Sequence, residues 1–311
     1  MKHEKADIIN SNLSPKGIFK AKLWFPITYI LLYVINLLSG ESIKHLNDKV
    51  VITPKKRPII YACTHKFKPD MEKITLSIKK PSFLLASDFI NSYGTISGWY
   101  LNTRPAIFVE PYDKYDKSLS YKLMVKYLKK GFSCMIFPEA VWNLSENRIV
   151  LGTFSGTIRA AIESNAVVVC TAIERYGKKY VINRNGYLDF VEIVKKNMGC
   201  EFFQLSKDKQ LHTIKECNSI LRDTMATLTM EIWMDYAKCY GVERRSKLSN
   251  NYWNDFVNSL ITEWEGYKLS DNIEQQYYIN DQLVQQEVKK ILEKIEPSLN
   301  NAFLFSKRNH N

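Results

Sequence analysis

From Lys49 to about residue 182, short apolar runs alternate with stretches of helical spacing, and few architectures accommodate that pattern. Residues 50–53, 59–63, 83–86, 106–109, 133–137, 167–173 and 180–182 read as strands, and residues 71–79, 118–130 and 156–164 as helices between them. Gly131 directly follows Lys129 and Lys130, a helix stop, because glycine takes the left-handed backbone that ends a helix without steric cost. The alternation predicts an α/β fold with a mostly parallel central sheet flanked by helices. In such sheets the working residues gather at the carboxyl ends of the strands.

Both ends of the chain depart from this pattern. The N-terminal segment is polar and carries Lys2, Lys5, Lys16, Lys20 and Lys22, after which residues 23–38 form an apolar run broken only by Pro26, Thr28 and Asn36. As a helix this run reaches about 24 Å, short of the roughly 30 Å hydrocarbon layer. No small-residue cleavage site follows it, which argues against a signal peptide. The expectation is a membrane-associated helix lying in one leaflet, its upstream lysines meeting anionic headgroups at the cytoplasmic face. A helix packed on the domain core is the alternative. From about Cys200 the strands stop, and residues 207–241, 251–265 and 273–294 read as helices, the last closed by Pro297. The plan is therefore a basic segment with its helix (1–45), an α/β domain (46–198) and a helical C-terminal region (199–311).

A net charge of +12 favours anionic partners: a phospholipid surface, an acidic carrier protein or the phosphates of coenzyme A. No zinc-finger spacing, RNA-recognition signature or basic zipper helix is present, so nucleic acid is not expected. The six cysteines are scattered without a Cys-x-x-Cys pair, which argues against a metal site or a disulfide framework and suits a reducing compartment.

The stretch after the 59–63 run carries the chemistry. His65 and Asp70 are five positions apart and on one helix would point about 140° away from each other. Pro69 removes that option: it pushes Lys68 out of the helical region and makes Pro69-Asp70 a helix start. A strand–loop–helix turn can then bring Asp70 back to the imidazole, the arrangement of a general base held by a carboxylate. A solvated loop pair is the competing reading. Cys63, two residues before His65, is read as a buried strand cysteine, with a Cys/His nucleophile pair as the alternative.

About seventy residues on stands Phe137-Pro138-Glu139-Ala140-Val141-Trp142-Asn143. Together the two blocks resemble the glycerophospholipid acyltransferase family, which carries a His-x4-Asp block followed by a Phe-Pro-Glu-Gly-Thr-Arg-like block. The resemblance runs from about Lys49 to Phe190 and looks closest to a bacterial variant reading Pro-Glu-Gly-x-Trp-Asn. It implies acyl transfer from acyl-CoA or acyl-carrier protein, as co-substrate, to the hydroxyl of a lipid acceptor, with no cofactor or metal. His65 would be the base, Asp70 its orienting partner, and Glu139 a residue of the acceptor site; a structural partner of a nearby backbone turn is the alternative for Glu139.

Three positions depart from the family pattern. Ala140 replaces the glycine after the glutamate, Trp142-Asn143 stand where an arginine is usual, and Ile107-Phe108-Val109-Glu110-Pro111 ends in proline where the family has another arginine. Those arginines would grip an acceptor phosphate. Arg104, Lys114 or Lys117 are candidate replacements, and each is equally readable as a solvated charge. The missing arginines also raise a non-phosphate acceptor such as an amino lipid or glycolipid. A thioesterase and a non-catalytic membrane-binding module complete the alternatives.

Overall fold

The computed structural model describes residues 15–46, 57–66, 69–87, 106–109, 113–140, 143 and 150–240. Its elements run α1 (Pro15–Leu38), β1 (Ser42–Leu46), β2 (Ile59–Cys63), α2 (Asp70–Ile78), β3 (Phe83–Ser87), β4 (Ala106–Val109), α3 (Lys114–Lys129), β5 (Cys134–Ile136), α4 (Gly156–Ser164), β6 (Val167–Tyr176), β7 (Lys179–Leu188), α5 (Phe190–Met198), a 3₁₀ turn (Phe202–Gln204) and α6 (Lys207–Tyr240). The strands form one seven-stranded sheet in the order β1-β7-β6-β2-β5-β3-β4. Neighbours are parallel except β6 and β7, an antiparallel hairpin whose tight turn uses Gly177 at φ +62°. The expected mixed α/β architecture with a mostly parallel sheet is what the chain adopts.

β2 and β5 are buried along their whole length, which is why both read as uncharged runs: a strand covered on both faces has no solvent side to make polar. They are direct parallel neighbours, with Ala62 opposite Ile136, so their carboxyl ends leave the sheet side by side. β6 flanks β2 on the other side, and the ladder runs on past the strand, Thr64 N–H donating to Thr171 O at 3.0 Å.

α1 starts at Pro15, eight residues before the apolar run, with proline in the first helical turn where its missing N–H costs nothing. One side of α1 packs on the domain: Thr28, Leu32 and Asn36 are buried, Tyr29 Oη donates to Leu76 O at 3.3 Å, and Asn36 Oδ1 accepts from Lys73 Nζ at 2.6 Å. Lys73 also pairs with Glu41, which Arg175 Nη2 approaches at 3.4 Å. The opposite side shows Leu23, Trp24, Ile27, Ile30, Tyr33, Leu37 and Leu38, each more than half exposed. No helix among the described residues is long and apolar enough to cross a membrane.

α6 packs on β6 and β7. Its approach is set by Gly186 in β7: a Cβ there would lie 2.6 Å from Cys170 Cβ and 2.8 Å from Thr224 Cγ2 of α6. Asn183 Nδ2 donates to Glu231 Oε2 at 2.6 Å, and Lys44 pairs with Asp235 at 2.8 Å, so both β7 and β1 are tied to this helix.

β1 and α5 were not anticipated, β7 is longer than expected, and the boundary expected between residues 45 and 46 falls inside β1. The strand expected at 50–53 and the helices expected at 251–265 and 273–294 lie outside the described residues.

Candidate active site

His65 stands two residues beyond the end of β2, and Asp70 opens α2 directly after Pro69. Asp70 thus sits in the first turn of the helix, a position where acidic side chains are favoured. Lys66 N–H donates to Asp70 Oδ2 at 2.6 Å, a short bond to a charged acceptor that fixes the carboxylate, and His65 Nδ1 lies 3.3 Å from the same oxygen. Asp70 is fully buried while the His65 side chain is 21% exposed. The pair therefore has a protected back and an open front. His65 also stacks on the ring of Phe137, centroids 4.2 Å apart and planes 25° apart.

The loop after β5 holds the His65 backbone from both sides. Asn143 N–H donates to His65 O at 2.6 Å, and His65 N–H donates to Glu139 Oε1 at 3.3 Å. Glu139 Oε2 accepts from Leu151 N–H at 3.2 Å. Both carboxyl oxygens of Glu139 are thus engaged by backbone donors, and the residue is 1% exposed. Burial pushes its carboxyl up to about 8, a penalty that the Leu151 N–H, Lys66 and the His65 N–H only partly offset. Glu139, expected at the acceptor, is held by the backbone of His65 and of Leu151 and so joins two segments.

Ala140 adopts φ +60°, and its N–H donates to Phe137 O at 2.9 Å. A left-handed residue with a Cβ costs about 1–2 kcal/mol, so this position favours glycine for its backbone angle. Behind the loop, Lys66 is 3% exposed and its ammonium pairs with the equally buried Glu174 of β6.

Among the residues expected at the acceptor, Arg104 lies outside the described residues. Lys114 is exposed in the first turn of α3, directly after edge strand β4. β4 is three strand spacings from β2 in the sheet order, about 14 Å across. Lys117 is exposed on the same turn. Cys63 is fully buried, its thiol 3.6 Å from Tyr61 O, and burial pushes that thiol well up, so it is neither ionised nor reachable. Asn143, Leu151 and Phe137 join the residues expected at the site: Asn143 and Phe137 lie in the 137–143 block, whereas nothing local marks Leu151.

The arrangement can hold an imidazole in one orientation, keep its Nδ1 toward a carboxylate, and leave Nε2 for a substrate proton. Residues 44–174 match the family model described as Acyltransferase. No curated protein matches the chain. Among solved structures the chain is similar to the crystal structure of the 1-acyl-sn-glycerophosphate (LPA) acyltransferase PlsC from Thermotoga maritima, with 14% identity and a TM-score of 0.44, over 63% of this chain and 78% of that chain.

Proposed function

We propose that this chain, whose residues 44–174 match the family model described as Acyltransferase, moves a fatty acyl group from a thioester to the hydroxyl of a lysophospholipid-type acceptor. The donor is acyl-CoA or acyl-carrier protein. One observation carries the reading: His65, open to solvent on one side, stands 3.3 Å from the buried carboxylate of Asp70.

An alcohol is a weak nucleophile at neutral pH, so its proton must leave as it attacks. His65 Nε2 takes that proton, and the Asp70 carboxylate stabilises the imidazolium that forms. The acceptor oxygen bonds to the thioester carbonyl carbon, the carbon–sulfur bond breaks, and the departing thiolate recovers the proton from His65. A base of this kind contributes about 10²–10⁴-fold. Glu139 and Asn143 act through His65 by fixing its backbone.

The outward side of α1 supports peripheral attachment at the cytoplasmic face of an anionic membrane: it offers hydrocarbon continuously along the helix without a charged residue between Leu23 and Gly40. A second acceptor class, a non-phosphate alcohol such as an amino lipid or glycolipid, is favoured by Pro111 and Trp142-Asn143 at the positions where phosphate-gripping arginines are usual.

The test is turnover of acyl-CoA by the purified full chain with lysophosphatidic acid, a lysophospholipid bearing a larger headgroup, and an amino-lipid acceptor. His65→Ala is expected to lower turnover about 10²–10⁴-fold, and Asp70→Asn to lower kcat while the KM for the donor stays put. Full turnover by His65→Ala overturns the assigned base; transfer to the amino lipid alone selects the second acceptor class.

A further inference from the structure

We infer that α6, which lies beyond the residues matched by the acyltransferase family model, is part of the catalytic unit, and that Asn218 on this helix is a positioning residue for His65. The inference rests on the proposed acyl transfer for its kinetic readout and on geometry alone for its structural one.

The contacts form an unbroken path. Asn218 Nδ2 donates to Thr153 O at 2.7 Å, and Thr153 Oγ1 donates back to Asn218 Oδ1 at 3.1 Å. This two-way grip uses both ends of the amide and both the backbone and side chain of Thr153, so it fixes the loop in position and orientation. Next to it, Phe154 N–H donates to Pro138 O at 2.9 Å, and two residues before it Leu151 N–H donates to Glu139 Oε2 at 3.2 Å. The other oxygen of Glu139 holds His65 N–H. Residues 151–154 are therefore a spacer between a helix and the base, gripped by Asn218 on one side and gripping Pro138 and Glu139 on the other.

The helix that anchors this path has little freedom to move. Gly186 lets α6 seat against β7 at a distance that no side chain allows, and Asn183 and Lys44 bind it further along at Glu231 and Asp235. Sequence separation makes the arrangement informative: Asn218 is 65 residues from Thr153, and nothing in the local chain requires the contact. The short segment at residues 151–154 that leads into α4 has several backbone paths open to it; the helix selects one. Misplacing a catalytic group by about 1 Å through a remote change can cost about a hundredfold in rate.

Two variants of the full chain test this. Asn218→Leu keeps the size of the side chain and removes both bonds. Thr153→Val removes the hydroxyl bond and leaves the backbone carbonyl for Asn218. The expected result for Asn218→Leu is a fall in kcat of about ten- to a hundredfold with KM for donor and acceptor within about twofold. Thr153→Val is expected to lose less, and the double variant no more than Asn218→Leu alone, since the residues act as one unit. Amide hydrogen exchange supplies a readout independent of any reaction: exchange at Leu151, Phe154 and His65 accelerates in Asn218→Leu, while exchange along β6 and β7 is unchanged. Unchanged kcat and unchanged exchange at those three amides overturn the inference. So does accelerated exchange spread evenly over β6 and β7, which makes Asn218 a general anchor of α6. If His65→Ala keeps its activity while the three amides still respond, the assigned base is wrong and the mechanical path stands.

Discussion

Glu139→Gln separates a brace from an acceptor ligand. In the fold each carboxyl oxygen receives one backbone N–H, from His65 and from Leu151. Glutamine offers one acceptor oxygen and puts an NH₂ against the other donor, so one buried N–H loses its partner at about 1–3 kcal/mol. That loss is the same at every pH. The wild-type carboxyl adds a second effect, because burial raises it from 4.5 to about 8. Over that window the folded chain holds a proton that the unfolded chain has released, and wild-type stability falls by about 1.4 kcal/mol per pH unit. Below the unfolded value this contribution is fully present; it is lost as pH rises through the folded value. Glutamine does not titrate and escapes the decline. The variant is therefore less stable than wild type near pH 4.5, and the two curves cross between about pH 5 and 7, where the accumulated decline equals the lost bond. Urea unfolding of both proteins at half-unit pH steps measures this. Parallel curves refute the reasoning, since they mean that Glu139 is ionised throughout. A variant with wild-type stability at all pH values and a raised KM for the acceptor restores Glu139 to the acceptor site.

Two further perturbations probe the framework. Lys66→Met leaves buried Glu174 without its lysine and is expected to cost about 3–5 kcal/mol, read as a lower urea midpoint, while Lys66→Met with Glu174→Leu recovers most of it. Gly186→Ala forces a methyl group into Cys170 and Thr224 and is expected to cost about 1–3 kcal/mol and lower the melting temperature; an unchanged midpoint means that α6 is not seated as described.

The elements that the sequence shows plainly are those whose environment is uniform. β2 and β5 are buried on both faces and carry no charge, and Pro69-Asp70 announces α2 because proline restricts the backbone in a way that no distant contact alters. β1 is the opposite case: its mixed residues are half-exposed, and it is a strand only because β7, more than a hundred residues later, accepts its edge. α5 carries its own signals in the sequence, for Asp189 caps its first turn and Gly199 ends it in the left-handed region. At the site, the proximity of His65 and Asp70 followed from turn chemistry. The employment of Glu139 did not, because which donors reach a carboxylate depends on where Leu151 returns. Asn218 was invisible for the same reason.

α1 inverts the usual division of labour in a water-exposed helix. Its hydroxyl and amide, Thr28 and Asn36, face the protein on either side of Leu32, and most of its large apolar side chains face away. Substituting Asn36 by leucine, close in size but without a polar atom, strips Lys73 of an acceptor and loosens the domain, whereas lysine at Ile27 or Ile30 changes the outer surface and leaves every internal contact of the helix in place. Holding the helix on the protein and choosing what the helix touches outside are thus written on separate residues, and each can be altered without the other.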